Sequence, residues 1–77
     1  MKTIQISLNS IGKVKSFVNA ITQFDYDFDL ISGRYVIDAK SIMGIFSLDL
    51  SKDIDLSIHS EDNIEAVLKM LEPYLVK

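Results

Sequence analysis

Cysteine is absent from this 77-residue chain, and it has one histidine, one proline and three glycines. Without cysteine there is no disulfide staple and no thiolate metal site, and the composition fits a reducing compartment. Positive charge is also scarce. A net charge of −3 argues against a protein that tracks the phosphates of a nucleic acid, which would need a basic face. No apolar run approaches the ~20 residues of a membrane span. The opening Met1-Lys2-Thr3-Ile4-Gln5 lacks the apolar centre of a signal peptide. These absences predict a cytoplasmic protein with neither a membrane nor a nucleic acid as partner. The length leaves room for a single domain, residues 1–77, and a core this small needs dense packing. A hydrophobic content of 48% can supply it.

What is present is periodic. Ile4, Ile6 and Leu8 alternate with polar residues, as in a half-buried strand. Ser10 can cap a helix in which Ile11, Val14, Phe17, Val18 and Ile21 recur at helical steps, with Lys13, Lys15 and Asn19 opposite. Phe24 to Leu30 alternates strictly between apolar residues and Asp25, Asp27 and Asp29, so one face of that strand belongs in water. Ser32-Gly33 supplies a turn, and Arg34 to Asp38 reads as the returning strand of a hairpin. Ile54, Leu56 and Ile58 alternate in a fourth strand. Ser60 heads a last helix, with Glu61 and Asp62 in its first turn and a stripe of Ile64, Val67, Leu68 and Leu71. Tyr74 and Leu75 extend it past Pro73, where a missing amide should loosen the helix.

Between the third and fourth strands lies Ala39-Lys40-Ser41-Ile42-Met43-Gly44-Ile45-Phe46-Ser47-Leu48. Ser41 is an N-cap candidate, and Ile42, Ile45 and Phe46 fall at helical spacing with Met43 and Leu48 turned elsewhere. Gly44 inside the segment costs roughly 1 kcal/mol relative to Ala, so the helix should be short and close to another surface. Ile42 and Phe46, one turn apart, make a candidate apolar contact patch, with burial of Phe46 in the core as the plainer alternative.

The element order is therefore β-α-β-β-α-β-α. Three helical stripes and an antiparallel sheet with one apolar face predict an α+β, two-layer open-faced sandwich, with the helices on one face and the Asp-rich surface on the other. Periodicity alone does not choose the strand order.

Other chemistry is thinly represented. His59, at the end of the fourth strand, has no ligand or triad pattern around it and is expected at the surface. Aspartates at every second strand position form a flat row, without the turn glycine and distal glutamate of an EF-hand, so no metal is expected. Asp49-Leu50-Ser51 is faintly similar to the carrier-serine motif of acyl carriers, but those are all-helical. No cofactor is implied.

Lys40-Ser41-Ile42-Met43-Gly44, followed by Phe46-Ser47-Leu48, resembles the regulatory-serine segment of the HPr-type phosphocarriers of the bacterial sugar phosphotransferase system. The resemblance implies strand order 1-4-2-3, against the 4-1-3-2 of a ferredoxin-like sheet. It further implies that Ser41 is a phosphoacceptor for an HPr-type serine kinase, with a transcriptional regulator as a further candidate partner. In that family a histidine near the start of the first helix, in a Gly-(Ile/Leu)-His-(Ala/Thr)-Arg-Pro-Ala pattern, relays phosphate. Here the stretch reads Leu8-Asn9-Ser10-Ile11-Gly12-Lys13-Val14, and an ungapped count puts Ser10 at the histidine position. Gly12 falls at the arginine and Lys13 at the proline.

Serine cannot take over the relay. A phosphohistidine P–N bond is labile enough to pass phosphate onward, whereas a serine phosphate ester is stable. The chain thus resembles the Crh-type paralogues, which lack the histidine and keep the serine, although it has also lost the Arg-Pro-Ala they retain. The expected function is non-enzymatic: regulation through Ser41, read by protein partners at Ile42 and Phe46. The alternatives are a divergent phosphocarrier component and a small-molecule-binding βαβ domain. The sequence leaves the oligomeric state open.

Overall fold

A computed structural model describes residues 2–76. Four strands form one antiparallel sheet: β1 (Lys2–Ile6), β2 (Asp27–Ser32), β3 (Tyr35–Asp38) and β4 (Ile54–His59), in spatial order β1-β4-β2-β3. Helices α1 (Ile11–Ile21), α2 (Ile42–Phe46) and α3 (Ile64–Met70) supply the second layer. This is the α+β open-faced sandwich that the periodicity predicts, in the 1-4-2-3 order that the resemblance implies. β4 is central, and its Ile54, Leu56 and Ile58 meet Ile6, Ile4 and Lys2 across β1. On its other side Leu56 and Ile58 meet Leu30 and Phe28 of β2. The apolar members of these pairs, with Leu8, Val14, Phe17, Ile21, Ile45, Val67 and Leu71, build one core.

The helices obey their stripes with instructive exceptions. In α1, Val14, Phe17, Val18, Ala20 and Ile21 are buried, but Ile11 is 64% exposed. It is the first helical residue, and periodicity identifies a face without saying where the covering surface ends. The aromatic strand begins later than its alternation suggests, because Phe24 N–H still bonds back to Ile21 C=O (3.1 Å) in the turn after α1. The alternation nonetheless reports the right face. Phe28 and Leu30 are buried, Phe24 and Tyr26 pack half-buried against the core, and Asp25 and Asp27 are exposed.

Ser60 does not cap α3. Its Oγ accepts from Asp62 N–H (3.0 Å), closing a local turn that competes with helix formation. The helix starts instead after Asn63, at φ +54 with no side-chain cap, so Glu61 and Asp62 precede its first turn and Glu65 lies within it. After Met70 the chain tightens into a 3₁₀ turn at Glu72–Tyr74, where Pro73 cannot continue an α-helical ladder. Tyr74 is buried, with its ring edge-on to Phe17 and its hydroxyl 2.6 Å from Ser16 Oγ.

That C-terminal segment covers one edge of the sheet. Ser7 N–H donates to Tyr74 C=O (2.8 Å), Val76 N–H donates to Gln5 C=O (3.1 Å), and Ile6 bridges to Leu75. The β2–β3 hairpin closes at Ser32–Tyr35 through Gly33 and Arg34, with Gly33 at φ +60. A glycine in the first central position suits the right-handed twist of the flanking strands. Among the described residues no helix is long and apolar enough to cross a membrane.

Candidate functional site

The short α2 helix is held close to the sheet. A Cβ built on Gly44 would lie 2.6 Å from Ile37 Cγ2 of β3 and 3.2 Å from Ser41 Oγ, so the backbone approach requires glycine. Ile45 is fully buried beneath the helix, and Leu48 closes its far end in the core. Ser41 caps the start: its Oγ accepts from Gly44 N–H at 3.2 Å, its own N–H donates to Asp38 C=O, and the residue is exposed.

Anchoring one side of α2 leaves the other in water. Ile42 is 38% exposed, Phe46 39% and Met43 81%. At about 100° per residue, Phe46 projects between Ile42 and Met43, so the three share one outward arc. The sequence pattern sets Met43 apart from this patch. The structure makes it the most prominent member, because the covered side of so short a helix is only as wide as Ile45.

Lys40 is not a free cation beside Ser41. Its ammonium donates to Phe24 C=O (2.9 Å) and lies 5.6 Å from the Phe28 ring centre, which ties the neck of α2 to the segment after α1. Ser10 stands at the start of α1. Its Oγ accepts from Lys13 N–H at 3.1 Å in extended N-cap geometry, which is the capping role its position suggests. Thus Ser41, Ile42 and Phe46 come together on one element, and Ser10 caps another.

His59 ends β4 beside the beginning of β1, since Ile58 pairs with Lys2. Ser10 follows the other end of β1. His59 lies on the open face of the sheet, where its Nε2 and Asp29 Oδ2 are 2.7 Å apart. This contact between neighbouring strands is invisible in the sequence, because the two residues are 30 positions apart. Among the described residues no cluster of three or more His, Cys, Asp or Glu could hold a metal. An open cleft of about 320 Å³ beside the hairpin turn is lined by Arg34, Tyr35, Ser47, Asp49 and Lys52, a mixture of charges with no convergent donor set.

Just beyond α2, Asp49 accepts from both the hydroxyl (2.6 Å) and the N–H (3.1 Å) of Ser51. These bonds, with a smaller contribution from Lys52, hold its carboxyl below the usual value of 3.8.

Fold and site together define a class: a small open-faced sandwich that carries a capped, partly bare helix. A family profile described as "PTS HPr component phosphorylation site" matches residues 13–75. The chain therefore belongs to the HPr family of phosphocarrier proteins, whose members act through protein partners in the sugar phosphotransferase system. The crystal structure of HPr-C-His from Thermoanaerobacter tengcongensis is similar, with a TM-score of 0.77 and 28% identity. The match covers 95% of this chain and 89% of that one. No curated protein matches the chain. The matched profile begins at Lys13, which leaves Ser10 outside it.

Proposed function

We propose that this chain is an HPr-family domain without the phosphoryl relay, acting as a non-enzymatic regulatory protein of the cytoplasm over residues 1–77. Phosphate on Ser41 switches it, and Ile42 and Phe46, joined by Met43, form the surface a partner reads. The observation that carries this is the placement of an exposed N-cap hydroxyl and three exposed apolar side chains on the same five-residue helix.

Two further facts support it. The residue at the relay position by ungapped counting is Ser10, whose hydroxyl is occupied as a cap. The sole histidine, His59, is at the far end of β1 and bonded to Asp29. A phosphate on Ser41 would add roughly −1.5 to −2 charge next to an apolar patch, giving the same helix two distinguishable surfaces. The partners this implies are an HPr-type serine kinase and a protein that distinguishes the two forms, with a transcriptional regulator as one candidate. Loss of the relay also makes the chain similar to the Crh-type paralogues.

The test is to incubate the purified protein with an HPr-type serine kinase and, in parallel, with phosphoenolpyruvate and enzyme I. Label is expected from the kinase alone, acid-stable and lost in Ser41→Ala. Acid-labile phosphate from enzyme I on His59 would restore a relay role. A kinase that ignores this protein while labelling a genuine phosphocarrier would remove the switch.

A further inference from the structure

The two edges of the sheet are treated differently. β1 is covered by the segment from Tyr74 to Val76, whereas among the described residues no strand or tail pairs with the outer side of β3. An uncovered edge is a template for another strand, and natural proteins usually blunt it. Here Tyr35 is 68% exposed and Val36 is 65% exposed.

The phase of the hairpin shows which backbone groups are free. Ala39 N–H donates to Phe28 C=O (2.8 Å), and the pairing register places those two residues opposite each other. Hydrogen-bonded and non-bonded pairs alternate along an antiparallel ladder. Ile37 and Tyr35 therefore bond inward to Leu30 and Ser32. Val36 and Asp38 direct their amides and carbonyls away from the sheet. Asp38 C=O also receives Ser41 N–H, and its Oδ1 receives Lys40 N–H, which leaves its other carboxylate oxygen available.

We infer that this edge is a homodimer interface, in which β3 pairs antiparallel with β3 of a second copy and Val36 lies opposite the partner's Val36. In that register Tyr35 faces the partner's Ile37 and Arg34 faces the partner's Asp38, each contact occurring twice. The segment Arg34-Tyr35-Val36-Ile37-Asp38 is complementary to its own reverse: a cation meets an anion, and an aromatic meets a β-branched side chain. Both kinds of cross-strand pair are favourable. Only registers of this parity bring the outward-directed groups of both strands together. Sliding by two residues in one direction carries Arg34 past the end of the partner's β3, and in the other direction separates Arg34 from Asp38. The four-stranded sheets of the two copies then form one continuous sheet.

Sedimentation equilibrium of the full chain over a wide concentration range tests this, starting from the monomer mass of 8.7 kDa. Reversible association to twice that mass is expected. Val36→Pro removes an amide that makes no bond within the monomer, and proline is tolerated on a free edge, so the fold should persist and the dimer should disappear. Arg34→Asp and Asp38→Arg each create two like-charge pairs and should weaken self-association at least about tenfold. An equimolar mixture of these two variants should form a heterodimer, since every facing pair is then opposite in charge. If Val36→Pro fails to fold, the charge variants decide the matter. A wild-type chain that stays monomeric at millimolar concentration overturns the inference. So does a dimer untouched by the charge reversals, or a mixture that fails to recover it.

Discussion

Helices α1 and α2 begin alike and end differently. Each is capped by a serine whose Oγ accepts an amide three residues on, at 3.1 Å from Lys13 and 3.2 Å from Gly44. Beyond the cap they diverge. α1 runs 11 residues and buries five side chains, with its glycine facing open space. α2 runs five, buries Ile45 alone and has its glycine pressed against β3. The cap chemistry therefore says nothing about function. What separates a structural serine from a candidate switch is how much apolar surface the helix leaves next to it.

The largest expected contrast is between two phenylalanines. Phe17 of α1 is fully buried and touches Tyr74, so Phe17→Ala should cost about 3–5 kcal/mol. Phe46→Ala, at 39% exposure, should cost under about 1.5 kcal/mol while weakening partner binding more than folding. Urea denaturation of both variants checks this, and equal losses would mean that Phe46 belongs to the core.

The two helical glycines should differ in sign. Gly44→Ala drives a methyl into Ile37 Cγ2, which is held by a stiff β-branched χ1, and should destabilise by about 1–3 kcal/mol. Gly12→Ala meets nothing within 4 Å, and should stabilise by about 0.5–1 kcal/mol through reduced unfolded-state freedom. Thermal melts of the pair check this, and a neutral Gly44→Ala would mean that α2 does not press on β3.

The caps themselves should then look equivalent. Ser10→Ala and Ser41→Ala should each lose about 0.5–2 kcal/mol of stability, and only the second should lose kinase labelling. Ser41→Asp should recover the cap but imitate phosphate weakly, because a carboxylate has less charge and fewer acceptor oxygens.

The smallest effect lies just past α2. Asp49 should titrate below 3.8 by NMR; Ser51→Ala, which keeps the backbone bond, should reduce the depression, and Asp49→Asn should remove its contribution altogether. Because the folded value is depressed, that contribution is complete above the ordinary aspartate range and disappears as pH falls through the lowered value.

Much of this molecule is legible in one dimension. Alternation in β1, β2 and β4, the stripe of α1 and the cap at Ser41 are local patterns, and each dictates which face of an element seeks the core. Gly44 also signals close packing without naming its neighbour. The resemblance in residues 40–48 supplied the strand order, which periodicity could not, since a stripe does not specify its partner. Only the tertiary structure decided where each covered surface stops. It left Ile11 in water at the start of α1, made Met43 part of the bare arc of α2, and let Ser60 spend its hydroxyl in a turn. It also brought His59 to Asp29, and it covered β1 while leaving β3 open. Those outcomes depend on contacts between residues far apart in the chain, and local spacing carries no information about distances across a sheet.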